Sequence, residues 1–173
     1  AGSANNGSNN IFIGAEAGKV NAGSSSNTFI GWASGKANTS GFYNTFIGPA
    51  AGQANTEANY NTFIGPNAGF NNTTGAYNMF IGVSAGMDNI IGDRNLYLGY
   101  NAGRYSLGSN NAFLGSQAGQ NTTSGSSNTF IGVDAGIANT SGYNNTAIGS
   151  YANFGSGELS NATAIGSHAT VTQ

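Results

Sequence analysis

The sequence predicts an all-β solenoid, in which short coils of the chain stack on one another along an axis. The first observation is a quartet of the type Thr-Phe-Ile-Gly, which occurs ten times in 173 residues. The second is the spacing of the quartet glycines, which is 17 residues except for one interval of 16 between Gly99 and Gly115. Because so short a repeat cannot bury its apolar side chains alone, each repeat must stack on its neighbours.

Each quartet is predicted to form one short β-strand that ends at its glycine, since β-branched and aromatic residues favour strands. Alternation along a strand places the aromatic residue on one face and its two neighbours on the other. The aliphatic column is Ile13, Ile30, Ile47, Ile64, Ile81, Leu98, Leu114, Ile131, Ile148 and Ile165. The aromatic column includes Phe29, Phe46, Phe63, Phe80, Phe113 and Phe130, and changes to alanine at Ala147 and Ala164.

Both faces of the predicted strands are therefore apolar, whereas a single coil has only one interior to fill. We expect the Phe column to fill the interior of the coil and the Ile column to be buried against further copies of the chain. The reverse arrangement, with Ile inside and Phe outside, stays open at this point and also requires a partner. The sequence thus predicts a homo-oligomer.

The rest of each repeat is predicted to form turns. A second glycine follows the strand glycine by four residues in eight repeats, where a tight corner favours a left-handed backbone. Asparagine recurs in two further columns, which begin at Asn21 and Asn27, and stacked asparagines can form amide ladders between coils. The one-residue deletion lies between Gly103 and Asn111, in a turn, so we expect it to leave the strand register intact.

Composition argues against several classes of function. Only 6% of the residues are charged and the net charge is −2, which provides no basic surface for nucleic acid or an anionic membrane. Apolar runs are far shorter than the ~20 residues of a membrane helix, so we expect no direct membrane insertion by this segment. His168 is the single histidine, and the six carboxylates form no periodic pair. We therefore expect no enzyme activity, no cofactor and no metal.

Binding to another molecule is the function that remains. Tyr43, Tyr60 and Tyr77 occupy one column in three successive repeats, and Arg94 follows at the same position. Trp32 directly follows a strand glycine. Tyrosine and tryptophan offer rigid, amphipathic contact area that can stack on sugar rings or hold a receptor surface. The alternative is a purely structural aromatic ladder between coils. We assign these five residues as candidate ligand-binding residues.

The motif Asn-Thr-Phe-Ile-Gly-x-x-Ala-Gly, and above all the run at 161–170, resembles the head repeats of YadA-like trimeric autotransporter adhesins. Similar repeats occur in phage tail fibres. The resemblance implies a left-handed parallel β-roll of about ten 17-residue coils, assembled as a homotrimer and followed by a coiled-coil stalk. It implies one head or tip domain over 1–173, a fragment of a longer fibre, in which 150–173 leads toward a neck or stalk. The chain departs from the family in its longer period and in its Phe column, where the family commonly has Ala.

The function implied is that of a non-enzymatic adhesive segment of a trimeric fibre on the bacterial outer membrane, which binds a glycan or protein on a host or prey cell. A receptor-binding segment of a phage tail fibre, on the virion, is the first alternative. A structural spacer and an ice-binding solenoid are the others. An ice-binding face requires a regular threonine array, and the threonine column of this chain is interrupted at Met79, Leu96 and Ala112.

Overall fold

The computed structural model describes residues 1–172, so the last residue of the predicted domain, Gln173, lies outside the described part. It contains twelve short strands and, within those residues, no helix. The strands are β1 Ile11–Ile13, β2 Thr28–Ile30, β3 Thr45–Ile47, β4 Thr62–Ile64, β5 Met79–Ile81, β6 Leu96–Leu98, β7 Ala112–Leu114, β8 Thr129–Ile131, β9 Thr146–Ile148, β10 Asn153–Phe154, β11 Thr163–Ile165 and β12 Thr170–Val171. Over the same residues, no helix is available that could span a membrane.

Ten of the strands form one parallel sheet, in the chain order β1 to β9 followed by β11. Neighbouring strands pair at equivalent repeat positions, as Phe46 does with Phe63 and Ile47 with Ile64. Ten strands leave nine intervals, so the sheet spans about nine complete turns, where the sequence predicted about ten coils. The prediction of an all-β parallel solenoid is confirmed.

The interior of the coil is filled by the Phe column. From Phe29 to Phe130 these rings are fully buried, with Tyr97 in the place of one of them. From Phe12 to Phe130, successive rings stack with centroids 4.7–5.1 Å apart. This spacing matches the ~4.8 Å between paired strands, because each ring takes its position from its own strand. The ring lies against the corner glycine of the same coil: a Cβ built on Gly52 would come within 2.6 Å of the Phe46 ring.

The Ile and Thr columns face outward from the same sheet. In the coils from β2 to β5 the Ile side chains are half-buried, and toward the ends of the sheet they become more exposed, as at Ile13 and Ile165. We call the aliphatic column, from Ile13 to Ile165, the outer Ile row. It is an apolar strip that runs the full length of the long sheet.

Asparagine side chains connect successive coils inside the turns. The backbone N–H of Asn44 donates to Oδ1 of Asn27 at 2.9 Å, and Nδ2 of Asn27 donates to the carbonyl of Gly41 at 2.9 Å. The same pair of bonds recurs along the column, so both ends of each buried amide have a partner. In the second column, Asn55 donates to Asn38 at 2.7 Å. The predicted amide ladder is therefore present throughout the first column, whereas in the second it is continuous only from Asn21 to Asn55.

The shorter repeat keeps its place in the sheet. Strand β6 pairs with β7 in unbroken register, with Tyr97 opposite Phe113, as the sequence predicted. In the coil that contains β6, the interior ring is that of Tyr97, which carries a hydroxyl. In the same coil, the Asn column that begins at Asn21 has a serine, Ser106. The Tyr97 hydroxyl donates to Ser106 Oγ at 2.8 Å. A larger ring is thus accommodated by a smaller neighbour.

The last coils differ from the repeat in a way that the sequence did not predict. Where Ala147 replaces phenylalanine, Phe154 from β10 enters the interior instead, with 3% of its surface exposed and its ring 5.7 Å from that of Phe130. Strand β10 pairs with β12 in a second, two-stranded parallel sheet. The space left by the missing ring is therefore filled from another part of the coil.

Candidate ligand-binding surface

The three candidate tyrosines lie at a turn position that has a left-handed backbone in every coil of the repeat. The φ angles are 57° at Tyr43, 59° at Tyr60 and 60° at Tyr77, and the same position has φ 61° at Asn110 and 56° at Asn144. Asparagine tolerates this conformation, whereas a left-handed backbone costs most other residues about 1–2 kcal/mol. The turn itself therefore favours asparagine, and does not account for three successive tyrosines.

The tyrosine side chains form an exposed stack, which we call the Tyr ladder (Tyr43, Tyr60 and Tyr77). Ring centroids are 5.2 Å apart between Tyr43 and Tyr60 and 5.0 Å apart between Tyr60 and Tyr77, with interplanar angles of 15° and 7°. Between 44% and 55% of each residue's surface remains exposed to solvent. The ladder thus presents a row of ring edges and hydroxyls beside the amino-terminal ends of the strands.

The two ends of the Tyr ladder differ. At one end, the Arg94 guanidinium lies over the Tyr77 ring, with Cζ 5.6 Å from the centroid, which is a cation–π contact. At the other end, the column continues with Ser26, whose φ is 62° but whose side chain is too short to cover a ring. Phe42 meets Tyr43 edge-on, with centroids 5.5 Å apart, and does not cover this face. The ladder therefore has one face covered by a cation and one open face.

A pocket lies beside the open face of Tyr43. Its volume is about 290 Å³. Its walls are the Phe42 and Tyr43 rings and a group of small residues, namely Gly23, Ser24, Ser25, Ser26 and Ser40. We call it the serine pocket. No charged side chain contributes to its lining. It combines an aromatic face with hydroxyl groups, which is the composition of a site for an uncharged polar ring.

The other candidate residue, Trp32, is not part of this arrangement. It is exposed, and it follows the carboxyl end of β2, whereas the ladder residues precede the amino ends of their strands. Within the described residues, its ring makes no aromatic contact with the ladder. Sequence analysis missed Phe42 and the serines around it, because the tyrosine column, to which Ser26 belongs, was interpreted only through its large residues. The Phe-Tyr pair at 42–43 was the available signal, since it occurs once in the sequence.

A cluster of three charged side chains lies in the first coils. Glu16 accepts hydrogen bonds from Lys36 Nζ at 2.7 Å and Lys19 Nζ at 2.9 Å. The Lys36 bond, followed by the Lys19 bond, lowers the pKa of the Glu16 carboxyl to about 2. In the interior, burial raises the pKa of the Tyr97 hydroxyl above its usual range, although Ser106 hydrogen-bonds to it.

His168 stacks on Tyr151, with centroids 5.0 Å apart, at the surface. Over residues 1–172, no group of three or more His, Cys, Asp or Glu side chains is close enough to hold a metal ion. Asn38 and Asn72, which stand in Asn-x-Ser/Thr sequences, are fully buried, and this burial explains them as structural residues.

No protein-family model, no curated protein and no solved structure matches this chain. The fold defines a β-solenoid repeat protein, and its most distinctive surface is an exposed aromatic ladder beside a hydroxyl-lined pocket. The function is therefore inferred from these surfaces.

Proposed function

We propose that the chain is a non-enzymatic adhesive segment of a fibre at the bacterial cell surface, and that its Tyr ladder binds a cell-surface glycan. The observation that carries the proposal is the exposed stack of Tyr43, Tyr60 and Tyr77 beside the serine pocket, at a turn position that later coils fill with small polar residues. Aromatic faces with accessible hydroxyls suit sugar rings, which have apolar faces and polar edges.

The energies of the stack and of the backbone are similar in size. Two stacked tyrosine pairs contribute about 1–3 kcal/mol together, at roughly 0.5–1.5 kcal/mol for each pair. Three tyrosines in the left-handed region cost about 3–6 kcal/mol, at roughly 1–2 kcal/mol for each residue. Asparagine at the same position, as at Asn110 and Asn144, avoids much of this cost. Burial of about half of each tyrosine's surface adds a favourable term that offsets this cost, so the support for binding is the exposure of the stack rather than its energy.

Ligand binding is tested on a glycan array with the purified segment and a variant carrying Tyr43→Ala, Tyr60→Ala and Tyr77→Ala. We expect the variant to lose the glycan signal while keeping its β-sheet circular dichroism. A matched control carries Tyr100→Ala and Tyr143→Ala, since these tyrosines are similarly exposed but lie outside the ladder. If the folded ladder variant bound glycans as strongly as wild type, the ladder would have a structural role only.

The proposal includes assembly as a homotrimer of parallel chains, each a left-handed β-roll like the heads that the sequence resembles. The support for assembly is the outer Ile row, an apolar strip along the whole sheet, which a partner chain would cover. Light scattering of the folded segment should give three times the chain mass of 17.3 kDa. Substitution of Ile64→Lys and Ile81→Lys in the outer row should reduce it to the mass of one chain. A wild-type segment that stays monomeric at micromolar concentration would contradict the trimer.

A further inference from the structure

We infer that the glycan binds end-on, with a single neutral pyranose ring stacked on the open face of Tyr43 inside the serine pocket. This inference rests on the proposed function and narrows it to one ring of the ligand and one end of the ladder. It follows from three properties of the pocket: its place in the ladder, the chemistry of its walls and its size.

The pocket lies where the ladder would place its next ring. Tyr60 covers one face of Tyr43 at a centroid distance of 5.2 Å, and Ser26 occupies the corresponding column position on the other side. The Ser26 backbone has the same left-handed conformation as the tyrosines, with φ 62°. Only the side chain differs, so the periodic row of rings stops while its geometry continues. A flat ring supplied by a ligand can stack on Tyr43 as Tyr60 does.

The walls of the pocket suit a neutral polyhydroxylated ring. The Ser26 and Ser40 hydroxyls make no hydrogen bond to protein atoms within residues 1–172, so both can donate to a ligand and accept from it. Ser25 Oγ accepts from the Ser8 backbone N–H at 3.1 Å and keeps its own proton to donate. Because the lining contains no charge, a carboxylated or phosphorylated sugar would have no counter-ion there. The Phe42 ring forms an apolar side wall.

The size of the pocket selects one ring rather than a chain of sugars. At about 290 Å³ it lies at the lower limit of small-molecule sites, which hold roughly 300–1,000 Å³. At the far end of the ladder, the Arg94 guanidinium already covers the Tyr77 face. The ladder consequently has one free ring face, and the remainder of a glycan would extend from the pocket into solvent.

The test fills the pocket with a fourth ring. Ser26→Tyr continues the ladder over Tyr43, in a column whose backbone accepts tyrosine in the next three coils. The matched control is Ser127→Tyr, which adds a tyrosine to the same column in a distant coil, with φ 60°. The probes are the methyl glycosides of glucose, galactose, mannose and N-acetylglucosamine, and binding is measured by saturation-transfer NMR and titration. We expect Ser26→Tyr to weaken binding by roughly two- to tenfold at least, the loss that removal of one aromatic stacking contact predicts, and Ser127→Tyr to leave it unchanged.

Two further variants make the result independent of how well Ser26→Tyr folds. Phe42→Ala removes the side wall while keeping all three ladder tyrosines and should also weaken binding, whereas Tyr100→Ala, outside the ladder, should not. Equal binding by wild type and a folded Ser26→Tyr variant would overturn the pocket assignment.

Loss of the glycan-array signal in the ladder variant without any binding of methyl glycosides would overturn this inference and leave the proposed function standing. A wild-type segment that binds neither the array nor the glycosides would contradict both. Binding of aromatic peptides in place of the glycosides would identify a protein ligand and overturn the sugar assignment.

Discussion

Replacing Phe63 by alanine is the most direct test of the packing, because this residue lies in the middle of the interior ring stack. Phe63 is fully buried, and its ring centroid is 4.8 Å from those of both Phe46 and Phe80. The Phe63→Ala change removes two stacked contacts at once. It also opens a cavity that the flanking rings cannot fill, since each is held by its own strand in the parallel sheet.

The expected loss is about 3–5 kcal/mol per chain, the range measured for large aromatic residues truncated in well-packed cores. Loss of the two stacked pairs, at roughly 0.5–1.5 kcal/mol each, is part of this figure. Since single domains are stable by only about 5–15 kcal/mol, the change removes a large share of the stability. Tyr60→Asn is the comparison: it removes an exposed ring from the adjacent turn and relieves a left-handed tyrosine, so we expect a change below about 1 kcal/mol.

Both variants are measured by urea unfolding followed by circular dichroism, with the oligomeric state held the same at a fixed chain concentration. The transition midpoint should fall sharply for Phe63→Ala and stay near that of wild type for Tyr60→Asn. Equal midpoint shifts for the two variants would refute the assignment of Phe63 to the interior and of Tyr60 to the surface. A small loss at Phe63 alone would mean that the interior stack can relax around a cavity.

Two further predictions concern ionisable groups. Burial raises the pKa of Tyr97 above the ordinary value of about 10, so the folded state keeps this proton. The contribution of the protonated hydroxyl to stability is therefore present below pH 10 and is lost as the pH rises further. In urea titrations between about pH 9 and 11, a Tyr97→Phe variant should lose less stability than wild type, and an equal loss would exclude Tyr97 as the cause. The pKa of Glu16 is lowered to about 2 from 4.5, so its contribution is present above pH 4.5 and lost as the pH falls toward 2. In Lys36→Met, NMR titration of the Glu16 side chain should show a pKa closer to 4.5, and an unchanged value would mean that Lys36 does not hold the carboxylate.

The sequence was sufficient for the architecture because one period controls strand, register and interior together. A constant spacing of the quartet glycines permits only in-register stacking, and alternation within the quartet separates Phe63 from Ile64. The deletion after Gly103 could be assigned to a turn because the quartets on either side of it are intact. Each of these inferences depends on a feature that is repeated many times.

Structural features that occur only once in the chain could not be predicted from the repeat pattern of the sequence. Phe154 replaces a ring that the column lacks, but nothing in its own sequence position distinguishes it from a surface residue. The serine pocket arises because Ser26 is short where Tyr43, one repeat later in the same column, is long; the period places the two side by side, but the turn conformation that completes the pocket is visible only in the structure. The left-handed backbone of the Tyr ladder had a signal in the sequence, since Asn110 and Asn144 share its column, but that tyrosine also adopts it is seen only in the φ angles of the structure.

The identical register of successive strands has a genetic consequence. Any in-frame duplication of one repeat inserts a coil whose ends match its neighbours, and it lengthens the stack by about 4.8 Å without changing its cross-section. Unequal recombination between repeats can therefore change the reach of the molecule by whole coils in a single event. A duplication that includes Tyr43 or Tyr60 would lengthen the ladder, while one in the coils from Ser127 onward would move the ladder relative to the end of the stack and leave it intact. The length of the stack and the length of the Tyr ladder can thus vary independently.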